Sequence, residues 1–444
     1  MINCSLHNSL NNLRESFQVI FLDITVRFMK TLWIMEPIQL LHIADTHIGV
    51  ENYGRLDTET GLHTRLQDFV KCLTFAVDTA LERDVDAVLF AGDAYKQSSP
   101  NPTHEVLFAE QMKRLANHHI PVIMVAGNHD VPASFGKASA LNIFRTLGGE
   151  EHFMVAEKPL LTTIHTKQGP LQVACFPWPT RHALLTKDEY KNLSDDELTK
   201  TIEQKCESIL EKYARDLDST IPAVLLAHLA VANAVYSGSE RSVIIGADPV
   251  IAVSTLNNPA FDYVALGHIH KHQDLNRHGH PHIVYPGSIE RVNFGEAREE
   301  KGFCLVSVKK GESSFQFVPT PARKFVEIDI DVRNQDFPTE VILQKLTTVD
   351  IVDAVVRLSY LVDPEQKGLV DEPRLYAALK DAFLIAGINR KTEETRSQRP
   401  RIAGGLTTMD TLAEYIKYTP DLQPLKEDLQ IYAERLIREL EMAE

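Results

Sequence analysis

Five short apolar runs in this chain each end in a cluster of Asp, Asn or His, and that repetition restricts the fold more than any other feature. Ile38 to Ala44 ends in Asp45-Thr46-His47, and Asp86 to Phe90 leads to Ala91-Gly92-Asp93. Pro121 to Met124 leads to Val125-Ala126-Gly127-Asn128-His129-Asp130. Ala223 to Ala227 ends in His228, and Phe261 to Leu266 leads to Gly267-His268-Ile269-His270. Runs of this length with abrupt polar ends read as buried strands. Between the first three lie stretches with helical spacing, Glu59 to Arg83 (Leu66, Phe69, Val70, Leu73, Val77, Leu81) and about 103 to 117. Strand alternating with helix predicts an α/β sheet of crossover units. Ligands in such sheets collect beyond the carboxyl ends of the strands, which is where every cluster falls.

After His152 the strands shorten. Leu171 to Phe176 is one, Asp188 to Leu217 is a charged helical stretch, and strands at about 282 to 286, 302 to 308 and 314 to 318 read as antiparallel neighbours. Two mixed sheets face to face with helices outside accommodate this order, giving four layers, α-β-β-α. Two prolines in 319 to 324 mark a boundary. Beyond it, a strand from Phe325, a helix at 338 to 347, a strand at 351 to 361, a helix at 372 to 384 and a short last strand make a small α/β module over 323–389. A basic linker spans 390–405. Thr408 to Tyr418 and Pro424 to Met442 then form a helical pair within 406–444, with a stripe of Leu425, Leu429, Tyr432, Leu436 and Leu440 on the second helix. Residues 1–34 read as a poorly ordered extension, with Met35 opening the main domain of 35–320.

The strand ends offer seven ligands: Asp45, His47, Asp93, Asn128, His228, His268 and His270. Carboxylate, imidazole and amide together suit Mn²⁺, Fe²⁺ or Zn²⁺ better than Ca²⁺. Seven are too many for one small cation, whereas two cations sharing a carboxylate would use them all. Such pairs stand ~3.5–4 Å apart and serve displacement at phosphorus. His129 adjoins a ligand but is surplus to the set. That places it to steady charge on phosphorus or to protonate a leaving oxygen.

Asp-x-His, Gly-Asp, Gly-Asn-His-Asp, a lone His and Gly-His-x-His, in that order, resemble the calcineurin-like metallophosphoesterase superfamily. Tyr236-Ser237-Gly238-Ser239-Glu240-Arg241, Phe261 to His268 and Tyr285-Pro286-Gly287-Ser288-Ile289-Glu290-Arg291 resemble its SbcD branch of DNA double-strand-break repair nucleases. The likeness is strong over roughly 36 to 320 and architectural beyond. It implies one metal on Asp45, His47, Asp93 and His270, a second on Asp93, Asn128, His228 and His268, and His129 as the catalytic histidine. It implies two divalent metal ions, Mn²⁺ foremost, and cleavage of DNA as a duplex exonuclease and a single-strand or hairpin endonuclease. It further implies a capping role for 323–389, an SMC-like ATPase partner of the SbcC type held by the C-terminal helices, and a homodimer. One position departs: relatives often carry Asp or His three residues after the Gly-Asp aspartate, and here Lys96 stands there. A lysine would not orient an imidazolium and would disfavour protonated His129.

Arg55, Lys96 and Arg291 are candidate DNA contacts near the strand ends, with Arg298 a further one. Surface salt bridges explain the arginines equally well. His272, His278, His280 and His282 read as a hydrogen-bonded loop, and His63, His104, His118, His119, His152, His165 and His182 as surface or capping residues. The net charge of −15 argues against indiscriminate nucleic-acid binding without excluding a metal-dependent nuclease. Five unclustered cysteines (4, 72, 175, 206 and 304) give no zinc spacing and fit a reducing cytoplasm, and no apolar run spans a membrane. Two other functions share these features: a phosphoesterase for small substrates, and a DNA-end tether with faded chemistry, for which Lys96 is the suggestive feature.

Overall fold

The computed structural model describes residues 36–132, 137–149, 151–180, 184–185, 193–238 and 248–392, with a few positions between 409 and 433. Residues 1–35 and most of 393–444 lie outside the described set, and with them the N-terminal extension, the basic linker from 393 on and most of the C-terminal helical pair; Arg390 and Lys391, expected to open the linker, instead end a strand. Positions 409, 412, 416, 426 and 429–433 are helical. The chain forms two compact units: residues up to Val326 with Asp353–Val355, and the remainder.

The first unit runs β1 (Ile38–Ile43), α1 (Thr64–Glu82), β2 (Ala87–Phe90), α2 (Pro102–Asn117), β3 (Val122–Val125), α3 (Asn142–Gly148), β4 (Phe153–Ala156), β5 (Leu160–Thr166) and β6 (Gly169–Phe176). It continues with α4 (Asp195–Asp216), β7 (Ala223–His228), β8 (Ala230–Val231), β9 (Val250–Ile251), α5 (Val253–Leu256), β10 (Tyr263–Gly267), β11 (Gln273–Asp274), β12 (His282–Tyr285), β13 (Gly302–Lys309) and β14 (Glu312–Pro319). One sheet has the order β14-β13-β1-β2-β3-β4 and the other β11-β12-β10-β7-β6-β5. Both are mixed. β1 to β4 run parallel and β13 and β14 antiparallel, while β12, β10, β7 and β6 run parallel between antiparallel edges β11 and β5.

Alternation along the strands builds the layers. Ile38, Leu40 and Ala44 of the β1 region, Ile123 and Val125 of β3, Val173 and Cys175 of β6, and Val224 and Leu226 of β7 share one buried cluster between the sheets. The opposite faces meet helices. Leu41, Ile43, Val88 and Phe90 pack with Phe69, Leu73 and Val77 of α1 and Phe108 and Met112 of α2. Leu225, Val264 and Ile283 pack with Ile202, Cys206 and Leu210 of α4. The expected α-β-β-α sandwich of two mixed sheets is therefore present. His42 stands on the inter-sheet face: its Nε2–H donates to Leu266 O (3.2 Å) and its Nδ1 accepts from the Tyr263 hydroxyl (3.1 Å). Burial drives its pKa down to about 3, so it is neutral there.

Three local readings are corrected. β12 is not an antiparallel neighbour of β13 and β14; it pairs parallel with β10 in the other sheet, while β13 and β14 extend the first sheet beyond β1. An apolar run states that it is buried but not which strand it lies beside. α1 begins at Thr64 rather than Glu59, because Asp57 accepts from Glu59 N–H and the Gln67 amide and folds that stretch into a turn. His63 then caps the helix through Arg65 N–H. α4 begins at Asp195, fixed by a capping box of Ser194 and Glu197.

The second unit contains most of β15 (Phe325–Asp331), α6 (Pro338–Leu346), β16 (Val355–Leu361), α7 (Glu372–Ala378) and β17 (Leu384–Lys391). Its sheet has the order β15-β16-β17. Ile328, Ile342, Leu346, Val356, Leu358, Tyr360 and Leu375 form its buried interior.

Candidate metal centre

The parallel strands end side by side, and the loops that follow them are tied by backbone bonds. Asp45 N–H donates to Gly92 O (3.0 Å), His47 N–H to Asp93 O (3.1 Å) and Ile48 N–H to Ala94 O (2.9 Å). The Asp130 carboxylate braces the same region from beneath. One oxygen accepts from Asp93 N–H (2.8 Å) and Gly127 N–H (2.9 Å), the other from Ala94 N–H (3.0 Å). Asp130 thus holds the loops in place and is not one of the groups that face the cation space. Burial pushes its pKa up to about 6 against the pull of these amides.

The motif glycines are steric requirements. Gly92 has φ +92°, and a Cβ there would lie 2.5 Å from His228 Nδ1. A Cβ on Gly127 would lie 2.1 Å from Asp93 Oδ1 and 2.5 Å from Asp93 N. Asp45 (φ 51°), His47 (φ 40°), Asp93 (φ 58°) and His268 (φ 104°) are non-glycine residues at positive φ. Such conformations cost roughly 1–3 kcal/mol each and persist where surroundings enforce them, commonly at functional sites.

All seven predicted ligands converge. His47 Nε2 and His270 Nε2 approach to 2.9 Å. Asp93 Oδ2 lies 3.8 Å from His47 Nε2 and 3.6 Å from His228 Nε2, while its Oδ1 accepts from His129 N–H (2.9 Å). One oxygen of Asp93 is therefore fixed to the backbone and the other faces both histidines. Asn128 Oδ1 lies 2.9 Å from His228 Nε2 and 3.2 Å from His268 Nδ1. Asp45 accepts from His268 N–H with both oxygens (3.2 and 3.1 Å). Ligand atoms of Asp45, His47 and His270, of Asp45, Asp93 and His228, and of His47, Asp93 and His129 each lie within 4.8 Å of one another.

This donor set fits a pair of divalent cations. His228 Nδ1–H donates to Ala91 O (2.7 Å), which leaves the Nε2 lone pair facing the oxygen of Asn128. Two acceptors face each other there, an arrangement that a cation between them satisfies. Burial lowers the pKa of His47 and His228 well below 6.5, with neighbouring imidazoles adding to the effect, and takes His268 to about 3. The rings are neutral, as metal ligands must be. Burial, with Asp130 and Asp45 close by, raises the Asp93 carboxyl well above its usual range. A buried carboxylate cluster of that kind calls for positive charge. His268 Nε2 is buried without a hydrogen-bond partner among the described residues.

His129 stands beside this set, its ring centroid 5.0 Å from that of His47. Its Nδ1–H donates to the backbone carbonyl of Lys96 at 2.7 Å. Main chain rather than side chain therefore orients the ring at that position. Lys96 is exposed, as is Arg55. Arg291 is half-buried, and its guanidinium donates to Arg323 O (2.9 Å) and Glu299 O (2.6 Å), so those donors are engaged within the fold.

Sequence reasoning missed three participants. Glu296 accepts from His270 Nδ1–H (2.8 Å) and pairs with the buried Lys301 (2.7 Å). Burial alone would push the Glu296 carboxyl up, but Lys301 and His270 hold it well below the usual range. Their residue types alone gave no signal, because a Glu and a Lys five residues apart read as an ordinary surface pair until their burial is known. Trp178, half-buried at the end of β6, places its ring 4.8 Å from His268 and 5.9 Å from His228.

A model of the calcineurin-like phosphoesterase family matches residues 38–272, more than half of the chain and every predicted ligand. Among solved structures, the chain is similar to TT1561 of Thermus thermophilus (13% identity, 63% of this chain and 99% of that one, TM-score 0.37). It is also similar to a dimetal phosphatase from Danio rerio (11%, 64% and 97%, TM-score 0.40) and to a metallophosphoesterase from Sphaerobacter thermophilus (14%, 64% and 89%, TM-score 0.25). With its motifs converging at the ends of two mixed sheets, the chain belongs to the calcineurin-like phosphoesterase family and is a metal-dependent hydrolase of phosphoesters.

Proposed function

We propose that this hydrolase is a Mn²⁺-dependent DNA nuclease subunit of the SbcD type, cutting duplex ends exonucleolytically and single strands or hairpins endonucleolytically, in company with an SMC-like ATPase. The observation that carries the reading is the segment Tyr285 to Arg291. Part of its likeness to SbcD nucleases adjoins the centre: Ser288 N–H donates to His270 O (3.0 Å), while Glu290 lies buried against Arg65. In this reading Asp45, His47, Asp93 and His270 hold one cation, and Asp93, Asn128, His228 and His268 the other.

When bound, such a pair supplies charge neutralisation at phosphorus and lowers the pKa of a water. The protein's own groups do the rest. Asp93 Oδ2 spans the two ligand sets, and Asp130 keeps the loops from spreading. His129, with Nδ1–H committed to Lys96 O, presents Nε2 to hold or pass the proton of the leaving oxygen. Burial lowers its pKa, which favours the neutral ring at rest. Exposed Lys96 and Arg55 supply charge for a DNA backbone.

The module after residue 326 would help select DNA, and the C-terminal residues 406–444 would bind the ATPase; a homodimer completes the expected assembly. Four buried free thiols, Cys72, Cys175, Cys206 and Cys304, support a cytoplasmic setting. Among the described residues no helix is long and apolar enough to cross a membrane.

A phosphoesterase for small substrates would use the same centre. The test is a panel with Mn²⁺: labelled duplex, hairpin DNA, bis-p-nitrophenyl phosphate and cyclic nucleotides. Preference for the DNA substrates is expected, and turnover of the small esters alone would overturn the nuclease reading. Deleting 406–444 should retain single-strand cleavage but abolish co-purification with the ATPase, and co-purification that survives would refute that assignment.

A further inference from the structure

The two ligand sets are backed unequally. In the first, His270 Nδ1–H donates to a carboxylate, Glu296 Oε1, at 2.8 Å. The other oxygen of Glu296 is separately engaged: Lys301 Nζ at 2.7 Å, Val292 N–H at 3.1 Å and Ser288 Oγ at 3.4 Å. Lys301 is itself buried; it also donates to His270 O (3.0 Å) and pairs with Glu299 (2.9 Å). In the second set, His228 is backed by a neutral backbone carbonyl, Ala91 O, and Asn128 contributes an uncharged amide. A carboxylate behind an imidazole fixes its tautomer and raises its basicity, and losing such a partner typically costs 10–100-fold in metal affinity.

We propose that Glu296, locked by Lys301, is the positioning residue that makes the Asp45–His47–Asp93–His270 site the tighter of two cation sites, so that this site fills first and the Asn128–His228–His268 site is the exchangeable one. The inference rests on the two-cation reading of the centre but not on the identity of the substrate. Glu296 touches neither reacting atoms nor, by its geometry, the cation space; it acts through His270.

The test is titration of the metal-free full chain with MnCl₂ by calorimetry, with bound Mn²⁺ counted by electron paramagnetic resonance. Wild type should show two affinity classes. Glu296→Gln removes the charge, and either amide orientation conflicts with a donor: Lys301 and Val292 N–H on one side, His270 Nδ1–H on the other. It should weaken the tighter class by about 10–100-fold and leave the weaker class unchanged. Asn128→Ala should do the reverse. Should Glu296→Gln fail to fold in an EDTA melt, the paired variant E296L/K301M removes both charges together, a replacement buried ion pairs often tolerate, and the same loss of the tighter class is expected. A tighter class unchanged in a folded variant, both classes weakened alike, or failure of both variants to fold would overturn the proposal. A wild-type protein that binds fewer than two Mn²⁺ ions would instead overturn the two-cation reading.

Discussion

Gly127→Ala asks whether Asp93 is the shared carboxylate, and the structure allows its effect to be worked out. The new Cβ would lie 2.1 Å from Asp93 Oδ1, 2.5 Å from Asp93 N and 2.8 Å from Asp93 Cγ, distances no real Cβ adopts. The backbone nitrogen cannot yield without breaking its bond to Asp130 (2.8 Å), so either the end of β3 shifts or the carboxylate rotates. Rotation forfeits the hydrogen bond from His129 N–H to Oδ1 (2.9 Å) and swings Oδ2 away from His47 and His228. Overpacking of this kind costs ~1–3 kcal/mol, and a hydrogen bond to a charged group contributes ~1.5–3 kcal/mol. The sum is a loss of ~2.5–6 kcal/mol, read by urea denaturation in EDTA. Gly368→Ala, where an added Cβ meets nothing within 4 Å, is the control and should be close to neutral. On the proposed assignment of Asp93 to both ligand sets, both Mn²⁺ classes should weaken together, unlike the one-sided effect of Glu296→Gln. Wild-type stability with wild-type binding of both cations in Gly127→Ala would refute the steric argument and the shared role of Asp93.

His129→Gln should bind Mn²⁺ normally yet lose roughly 10²–10⁴-fold in turnover, measured in single-turnover cleavage; normal cutting would remove His129 from the chemistry. His42 links stability to pH. Its folded pKa of about 3 lies below the ordinary 6.5, so the folded state rejects a proton the unfolded chain accepts. The stability from neutral His42 is full above about 6.5 and is lost as pH falls from there toward about 3. His42→Gln, which cannot titrate, should flatten that part of the denaturation-versus-pH curve in EDTA, and an unchanged curve would count against the burial argument. Arg291→Met should cost roughly 2–3 kcal/mol by leaving two carbonyls without their charged donor, with little change in DNA affinity beyond lost folding. Lys96→Ala should leave stability intact and reduce the salt slope of DNA binding by about one, and the opposite pattern would support Arg291 as a DNA contact.

The order of motifs from Asp45 to His270 was enough to specify the layered α/β fold and to nominate seven ligands, because strand ends and metal ligands are both written locally, as apolar runs and residue types. Pairing is not local. β12 reads like its neighbours β13 and β14, yet its edge is taken by β10, and only the packed core decides which strand each apolar run meets. Charge is also ambiguous in a sequence. Arg291 and Lys96 look alike as phosphate contacts, but one guanidinium is turned onto backbone carbonyls while the other residue contributes its carbonyl to His129. Asp130 has the residue type of a ligand and the geometry of a brace. Glu296 and Lys301 lie 26 and 31 positions beyond His270 and acquire meaning only when the chain returns to it. Residue type fixes what a side chain can do in water; burial and direction, which come from contacts distant in sequence, select which of those capacities is used.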